Sequence, residues 1–458
     1  MIERASNLPP SYAWPRRDLE DARERHFAAT MDLVCGRHPF YREVMAQHDL
    51  ARADFGAVAD LAKLPVTTKQ DLMARADDFV LERDGLDEDI RTVWDVMYTT
   101  GSTSGTPTPF VSTSYDFFNI LMLNRNMMLI RGVGESDIVA NLFPLTRQPH
   151  GAFIRALQAP AVMNIPVVAA LPGNPSADFT LGNSTEETVR IVERSRATVL
   201  WGVPSFIRRL LQTAQTMGAN FSAVHRVFVT GEALYPEARR DLVERLVDLG
   251  ATDPVISGSY GMTEMQGGAV ECPTGTGFHN PLPDQFLIEI VDPESHRPVT
   301  DGTEGLVLLT HLNRRGTVLL RYAVGDISAL TRETCPGCGA TTERLTLAPR
   351  RADALVKIKG MLVNPEPVLA RLSGDMAIAA FRLTVEHADP ADPLSRDVLR
   401  LRVAPADDGD AALPERLSGL VKAETGITPK VEVVEVEAFD AGAPGWKAKP
   451  FADLRQQP

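Results

Sequence analysis

The segment Ala197–Gly250, "ATVLWGVPSFIRRLLQTAQTMGANFSAVHRVFVTGEALYPEARRDLVERLVDLG", decides the fold class. Twice it passes from a short apolar run into an amphipathic helix: "ATVLWGVP" leads to "PSFIRRLLQTAQTMG", and "RVFVTGEAL" leads to "YPEARRDLVERLVDLG", closed by Gly250. Outward from there, "DIVANLFPL", "PVVAAL" and "PVISGSYGMTE" read as strands or strand ends, and "STEETVRIVERS" reads as a further helix. Strand–helix alternation of this kind points to a mostly parallel α/β sheet.

The flanks have a different texture. From about Asp18 to Leu86 the pattern predicts helix, with heptad-like apolar spacing in "LEDARERHFAATMDLV" and a Thr-Thr-Lys-Gln start before "DLMARADDFVL". Near Phe286 the alternation gives way to "FLIEIVDP", "EGLVLLTHL" and "VLLRYAVGDISAL", strands separated by turns. Beyond Arg351, "ADALVKIKGMLVNPEPVLARLSG", "FRLTVEHAD", "VLRLRVAP" and "KVEVVEVEAF" suggest a small α+β domain. The expected architecture is α/β. A large N-terminal domain, 1–352, has a helical start (about 1–90), a core of parallel α/β sheet and a β-rich part (about 284–350). A small C-terminal domain, 353–458, follows a boundary near Asp353.

Composition narrows the function classes. The chain has 458 residues, 44% of them hydrophobic and 23% charged, with a formal net charge of −13. That balance argues against nonspecific binding to nucleic acid or to an anionic membrane, which would repel it, but not against an anionic small ligand. No apolar run approaches a membrane span, and the start "MIERASNLPPSYAWPRRDLE" lacks a signal-peptide core. Four cysteines in a chain of this length make no disulfide framework, so a reducing cytoplasm is expected.

The stretch Tyr98–Pro109, "YTTGSTSGTPTP", crowds hydroxyl residues around two glycines. Ser102, Thr103, Ser104 and Thr106 offer hydroxyls, while Gly101 and Gly105 let backbone N–H groups turn inward, a nest able to cradle phosphate oxygens. It lacks the Gly-Lys-Ser/Thr of a Walker loop, and taken alone it reads as an ordinary polar turn. Further along, "SYGMTEMQGG" (Ser259–Gly268) follows an expected strand, "RYAVGD" ends on Asp326, and "PGWKAKPFADLR" carries Lys447 and Lys449.

In that order these stretches resemble the adenylate-forming enzymes: acyl-CoA ligases, peptide-synthetase adenylation domains and luciferases. The resemblance is nearest to the phenylacetate–CoA ligase branch, on "YGMTEMQGGAVEC" and "RRADALVKIKGMLVNP". It implies that Ser102, Thr103, Ser104, Gly105 and Thr106 wrap the β- and γ-phosphates of ATP. Thr106 stands where many members carry lysine, and Gly101-Ser102 reverses the usual order. The same resemblance places adenine against Gly231, Glu232 and Ala233. Tyr260, Gly261 and Met262 would line the nucleotide site, with Tyr260 also at the acyl group. Thr263 would meet phosphate, Glu264 would hold Mg²⁺ and Asp326 would bind the ribose hydroxyls. Arg351 would lie near the nucleotide and Asp353 would be the hinge of a mobile C-terminal domain. Lys447 would be the catalytic lysine, with Lys449 a competitor because Trp446 and Pro450 break the usual motif.

The implied activity is ATP- and Mg²⁺-dependent adenylation of a carboxylic acid, followed by acyl transfer to coenzyme A. Transfer to an amine or to a separate carrier protein keeps the first step and changes the second, and a noncatalytic nucleotide-binding regulator would keep only the site. A homodimer through the helical start is also what the resemblance suggests. "NLFPLTRQPHGAF" falls where related enzymes wall the acyl group, so Phe143, His150, Trp201 and Pro204 are acyl-pocket candidates. Apolar walls favour an aryl or arylacetic acid over a polyanionic one.

A second constellation stands apart. Cys335-Pro-Gly-Cys338 has the spacing of a zinc knuckle, and Cys272 and His279 in "ECPTGTGFH" would complete a tetrahedral Zn²⁺ site of three cysteines and one histidine. A redox pair is the alternative reading of the two-residue spacing, although the pair lies in the β-rich part rather than beside a βαβ unit. Cys35, in an amphipathic helix, reads as a small core residue.

Overall fold

A computed structural model describes residues 10–99, 107–145, 151–173, 182–352, 356–359, 361–389, 392, 395–406, 412–440 and 450–455. The chain forms two units. The first comprises Met1–Asp137, Arg147–Val167 and Ser257–Ala352; the second comprises Ile138–Thr146, Val168–Ile256 and Asp353–Pro458.

In the first unit, the helix Arg16–Arg37 buries Phe27, Met31 and Val34 on one stripe, and the helix Pro39–Gln47 adds Phe40, Tyr41 and Met45. They pack with Phe110, Leu312, Leu319 and Tyr322 into one apolar core. The expectation of helix as far as Leu86 is corrected in part here. After Gln47 the chain makes 3-10 turns at Arg52–Asp54, Val58–Lys63 and Ala76–Phe79 and one short helix, Lys69–Ala74. Acidic side chains explain it: Asp54 and Asp60 accept backbone N–H groups from Ala51, Gly56 and Ala57, diverting bonds that a longer helix would use. The Thr68–Asp71 capping box starts the short helix as the sequence indicates.

The β-rich part is a four-stranded antiparallel sheet, with Phe286–Val291, Gly305–His311, Tyr322–Ser328 and Arg350–Arg351 in that order. A separate hairpin pairs Val93–Tyr98 with Pro109–Thr113, Tyr98 opposite Pro109. The hydroxyl-rich stretch joins those two strands; its residues 100–106 lie outside the described residues. The helix Ser114–Ile130 follows, capped by Thr113 and Asp116. The Asp116 carboxylate also accepts the backbone N–H groups of Arg315 and Gly316, both at 2.8 Å, fixing the helix start to a segment distant in sequence.

In the second unit, the strands Arg226–Thr230, Val199–Gly202, Val139–Asn141 and Val167–Ala169 lie in that order, and the first three pair in parallel. The helices Thr185–Ser195, Pro204–Met217 and Pro236–Asp248 cover them. Pro204 opens its helix at a position needing no N–H donor, and Gly218 ends it at φ +63°. The C-terminal residues contribute an antiparallel pair, Ile378–His387 with Asp397–Pro405, flanked in parallel by Lys430–Val433 and Phe451–Asp453. Together with the helices Glu366–Ser373 and Leu413–Thr425 they enclose their own core. The α/β class and the β-rich part thus agree with expectation. Among the described residues, no helix is long and apolar enough to cross a membrane.

One buried group makes the first unit sensitive to acid. His38 caps the helix Pro39–Gln47 by accepting the Tyr41 N–H at Nδ1, and its Nε2 lies 3.2 Å from the Val318 carbonyl oxygen. Burial pushes its pKa down to about 4. The unfolded chain binds this proton near pH 6.5, the folded chain only near 4, so between those values acidification favours unfolding. Stability should therefore fall by on the order of 3 kcal/mol from pH 6.5 to 4 through this residue. Urea midpoints across that range check it: His38→Gln should flatten the loss, whereas a slope equal to wild type would contradict the assignment.

Candidate active site

The stretch "SYGMTEMQGG" forms a tight hairpin in the first unit. Val255–Met262 pairs antiparallel with Gly267–Glu271, Tyr260 opposite Ala269 and Gly261 opposite Gly268. Thr263–Met265 is a single 3-10 turn, and Gln266 takes the left-handed conformation at φ +56° to re-enter the sheet. Gly268 is required by proximity, since a Cβ there would lie 2.3 Å from the Tyr260 carbonyl oxygen. The hairpin therefore holds Tyr260 and Glu264 at fixed places along one rigid element.

Each meets a partner from the four-stranded sheet. The Tyr260 hydroxyl donates to Asp326 Oδ2 at 2.6 Å, and Asp326 Oδ1 lies 3.4 Å from Arg351 Nη1, its neighbour across the strand pair. Burial, and then the Asp326 charge, pushes the Tyr260 phenol well above its ordinary value, so it stays a neutral donor. The Tyr322 hydroxyl donates to Glu264 Oε1 at 3.1 Å. Burial, reinforced by the Glu264 charge, likewise raises the Tyr322 phenol. The Glu264 carbonyl oxygen accepts from His311 Nε2 at 2.9 Å, while His311 Nδ1 accepts the Leu319 N–H at 3.0 Å. Those two bonds set the tautomer, with the proton on Nε2. Burial first, and the Arg314 charge second, keep the ring neutral.

A further anchor reaches the same turn. Arg155, 3% exposed on the helix Gly151–Val162, donates to Gln266 Oε1 at 2.5 Å and to Asp95 Oδ2 at 3.1 Å. Asp95 sits on the strand that runs into the hydroxyl-rich stretch. One buried guanidinium thereby links the Glu264 turn to the strand leading into the phosphate-loop candidate. Tyr322, His311, Arg155, Asp95 and Gln266 all escaped the sequence reading. Tyr322 and Gln266 had a signal, standing in "RYAVGD" and "SYGMTEMQGG"; the others had none, because their partners are distant in sequence.

The remaining candidates divide by location. In the second unit, Gly231 turns at φ +91°, and the Glu232 carboxylate accepts from the Ser205 N–H at 3.1 Å and the Ser205 hydroxyl at 2.8 Å. That carboxylate sits at the N-terminus of the helix Pro204–Met217, where an anion is favoured. Phe143 and Trp201 meet edge to face with ring centroids 6.5 Å apart, both buried, as is Pro204. In the first unit, Cys272, His279, Cys335 and Cys338 come together with their ligand atoms within 4.8 Å of one another. Ser102, Thr103, Ser104, Gly105, Thr106, His150, Asp353, Lys447 and Lys449 lie outside the described residues.

Residues 94–313 match the family model of the AMP-binding enzymes, a span that contains the hydroxyl-rich stretch and the Tyr260–Glu264 hairpin. Over those residues the chain carries an AMP-binding domain of the adenylate-forming kind. Among its relatives, a phenylacetate-coenzyme A ligase of Thermus thermophilus is 25% identical over 96% of this chain and 98% of its own length. Another, from Escherichia coli, is 26% identical over 71% of this chain and 70% of its own. A 2-hydroxyisobutyryl-CoA ligase, solved in its postadenylation state with an acyl-AMP, shares the fold of this chain. It has a TM-score of 0.78 and 21% identity, covering 98% of this chain and 94% of that one.

Proposed function

We propose that this chain activates a carboxylic acid as its adenylate, with Mg-ATP consumed and pyrophosphate released, and then passes the acyl group to coenzyme A. The observation that carries the reading is the single hairpin that presents Tyr260 to Asp326 and Glu264 to Tyr322, in a chain with an AMP-binding domain. In the first half-reaction a carboxylate oxygen bonds to the α-phosphorus and the bond from that phosphorus to pyrophosphate breaks. In the second, the thiol gives up its proton to solvent, its sulfur bonds to the acyl carbon, and AMP leaves with the electron pair of the broken C–O bond.

Two anions must meet in the first step, so positioning and charge neutralisation supply most of the catalysis. Asp326, oriented by Tyr260, would accept the ribose hydroxyls. Glu264 fits a hard cation: it is a partly exposed carboxylate held on Oε1 by Tyr322, and Oε2 accepts no hydrogen bond among the described residues. Bound there, Mg²⁺ would neutralise phosphate charge. The hydroxyls of 102–106 would wrap the outgoing phosphates, and Lys447 would stand at the α-phosphate or acyl oxygen. The acid is taken to be aryl or arylacetic, on the apolar character of Phe143, Trp201 and Pro204 and on the phenylacetate named for the relatives.

Product analysis tests the acceptor. With Mg-ATP, an arylacetic acid and coenzyme A, mass spectrometry should find the acyl thioester, one AMP forming with each. Amide on added amines with no thioester would remove coenzyme A as acceptor.

A further inference from the structure

The cluster of Cys272, His279, Cys335 and Cys338 belongs to neither half-reaction. Its residues come from two separate places on the first unit. His279 lies on the short strand Phe278–His279, paired on one side with Val270 and on the other with Arg344. Cys272 immediately follows the hairpin strand Gly267–Glu271. Cys335 and Cys338 bracket a tight turn closed by the Gly339 N–H to the Cys335 carbonyl at 3.0 Å and by the Cys335 N–H to the Ala340 carbonyl at 2.8 Å. The turn sits hard against the other segment: a Cβ on Gly337 would lie 1.8 Å from Thr274 Oγ1.

The geometry is that of a closed coordination sphere. In a tetrahedral zinc site of thiolates and imidazole, neighbouring ligand atoms stand about 3.6–3.8 Å apart. Here Cys338 Sγ and His279 Nε2 are 3.7 Å apart, and all four ligand atoms fall within 4.8 Å of one another. His279 is fully buried, its Nε2 faces the Cys338 sulfur, and its Nδ1 has no hydrogen-bond partner among the described residues. Two of the sulfurs have N–H or hydroxyl groups around them that can donate to a thiolate. Cys335 Sγ receives the N–H groups of Gly337 and Cys338 at 3.4 and 3.5 Å and faces Thr276 Oγ1 at 2.9 Å. Cys272 Sγ faces Thr274 and Thr276 hydroxyls at 3.1 and 3.3 Å.

We infer that these four side chains bind one Zn²⁺ in a site with no open position, a staple rather than a catalytic centre. The staple joins the 335–338 turn to the end of the hairpin strand Gly267–Glu271 and to the neighbouring strand Phe278–His279. It also secures the first helix, because the adjoining residues hold the N-terminal segment. Thr341 donates through its hydroxyl to the Trp14 carbonyl at 2.6 Å and through its N–H to that of Tyr12 at 3.2 Å, and Glu343 pairs with Arg23. A bound metal contributes to folding because the unfolded chain holds no preformed site. The inference is independent of the acid and of the acceptor, since its readouts are metal content and unfolding temperature.

Elemental analysis of the full chain, purified without chelator, should give about one zinc per chain. A thiol-specific mercurial should release it, and Co²⁺ in its place should give the visible absorption of a tetrahedral thiolate complex. Cys335→Ser and Cys338→Ser should each lose the metal and lower the midpoint of thermal unfolding by on the order of 10 °C, whereas Cys35→Ser should keep both. If the serine variants do not fold, the mercurial and cobalt measurements on wild type decide alone. Wild-type protein that neither contains nor takes up Zn²⁺ or Co²⁺ would overturn the inference. So would zinc that persists in both serine variants, or a Cys272–Cys338 disulfide found in freshly purified protein.

Discussion

Glu264→Gln lowers acid-dependent pyrophosphate release by about 10²–10³-fold while leaving the unfolding midpoint within a degree or two of wild type. The size follows from removing one preorganised charge partner at the reacting phosphates, about 3–4 kcal/mol of transition-state stabilisation. The unchanged fold follows from the local bonds. An amide oxygen can still accept from Tyr322, and the bond from His311 goes to the backbone carbonyl, which the substitution leaves in place. The control is Tyr322→Phe, which removes the orienting hydroxyl but keeps the carboxylate; its loss should stay near about tenfold. Raising the Mg²⁺ concentration should recover part of the activity of Glu264→Gln. Activity within about threefold of wild type, at limiting Mg²⁺, would take Glu264 out of the metal site.

Lys447→Ala separates the two half-reactions. Adenylation should fall by about 10²–10³-fold, because an ammonium at the α-phosphate or acyl oxygen offsets the repulsion of carboxylate and triphosphate. ATP affinity should change little, and thioester formation from preformed acyl-adenylate and coenzyme A should stay within about threefold. Single-turnover measurements of each step, run beside Lys449→Ala, decide the assignment. If only Lys449→Ala loses adenylation, the role belongs to that residue. If the two steps fall equally in Lys447→Ala, the lysine does not act selectively in the first.

The helices of the second unit were legible because each had a clean apolar stripe and marked ends, as Pro204 and Gly218 mark theirs. The helix Ser114–Ile130 was not singled out, since it is buried on nearly every side and so has no stripe; Asn124, Arg125 and Asn126 lie inside with the methionines. Between 48 and 86 the sequence pattern points to helix, whereas apart from Lys69–Ala74 acidic side chains, not apolar spacing, set 3-10 turns there. At the site, the motif residues could be named from one stretch of chain each, whereas their holders could not. His311 and Tyr322 reach Glu264 only after the sheet has formed, and Arg155 becomes visible only once burial beside Asp95 gives it a partner. The two-cysteine turn stood out in the sequence; what folding adds is the nearness of Cys272 and His279 to it.

The most direct measurement is pyrophosphate release from Mg-ATP by the intact chain across a panel of aryl, arylacetic and aliphatic carboxylic acids, with and without coenzyme A. The account predicts release that depends on an aryl or arylacetic acid and rises when coenzyme A is added. Binding of ATP with no acid-dependent release from any member of the panel would contradict it.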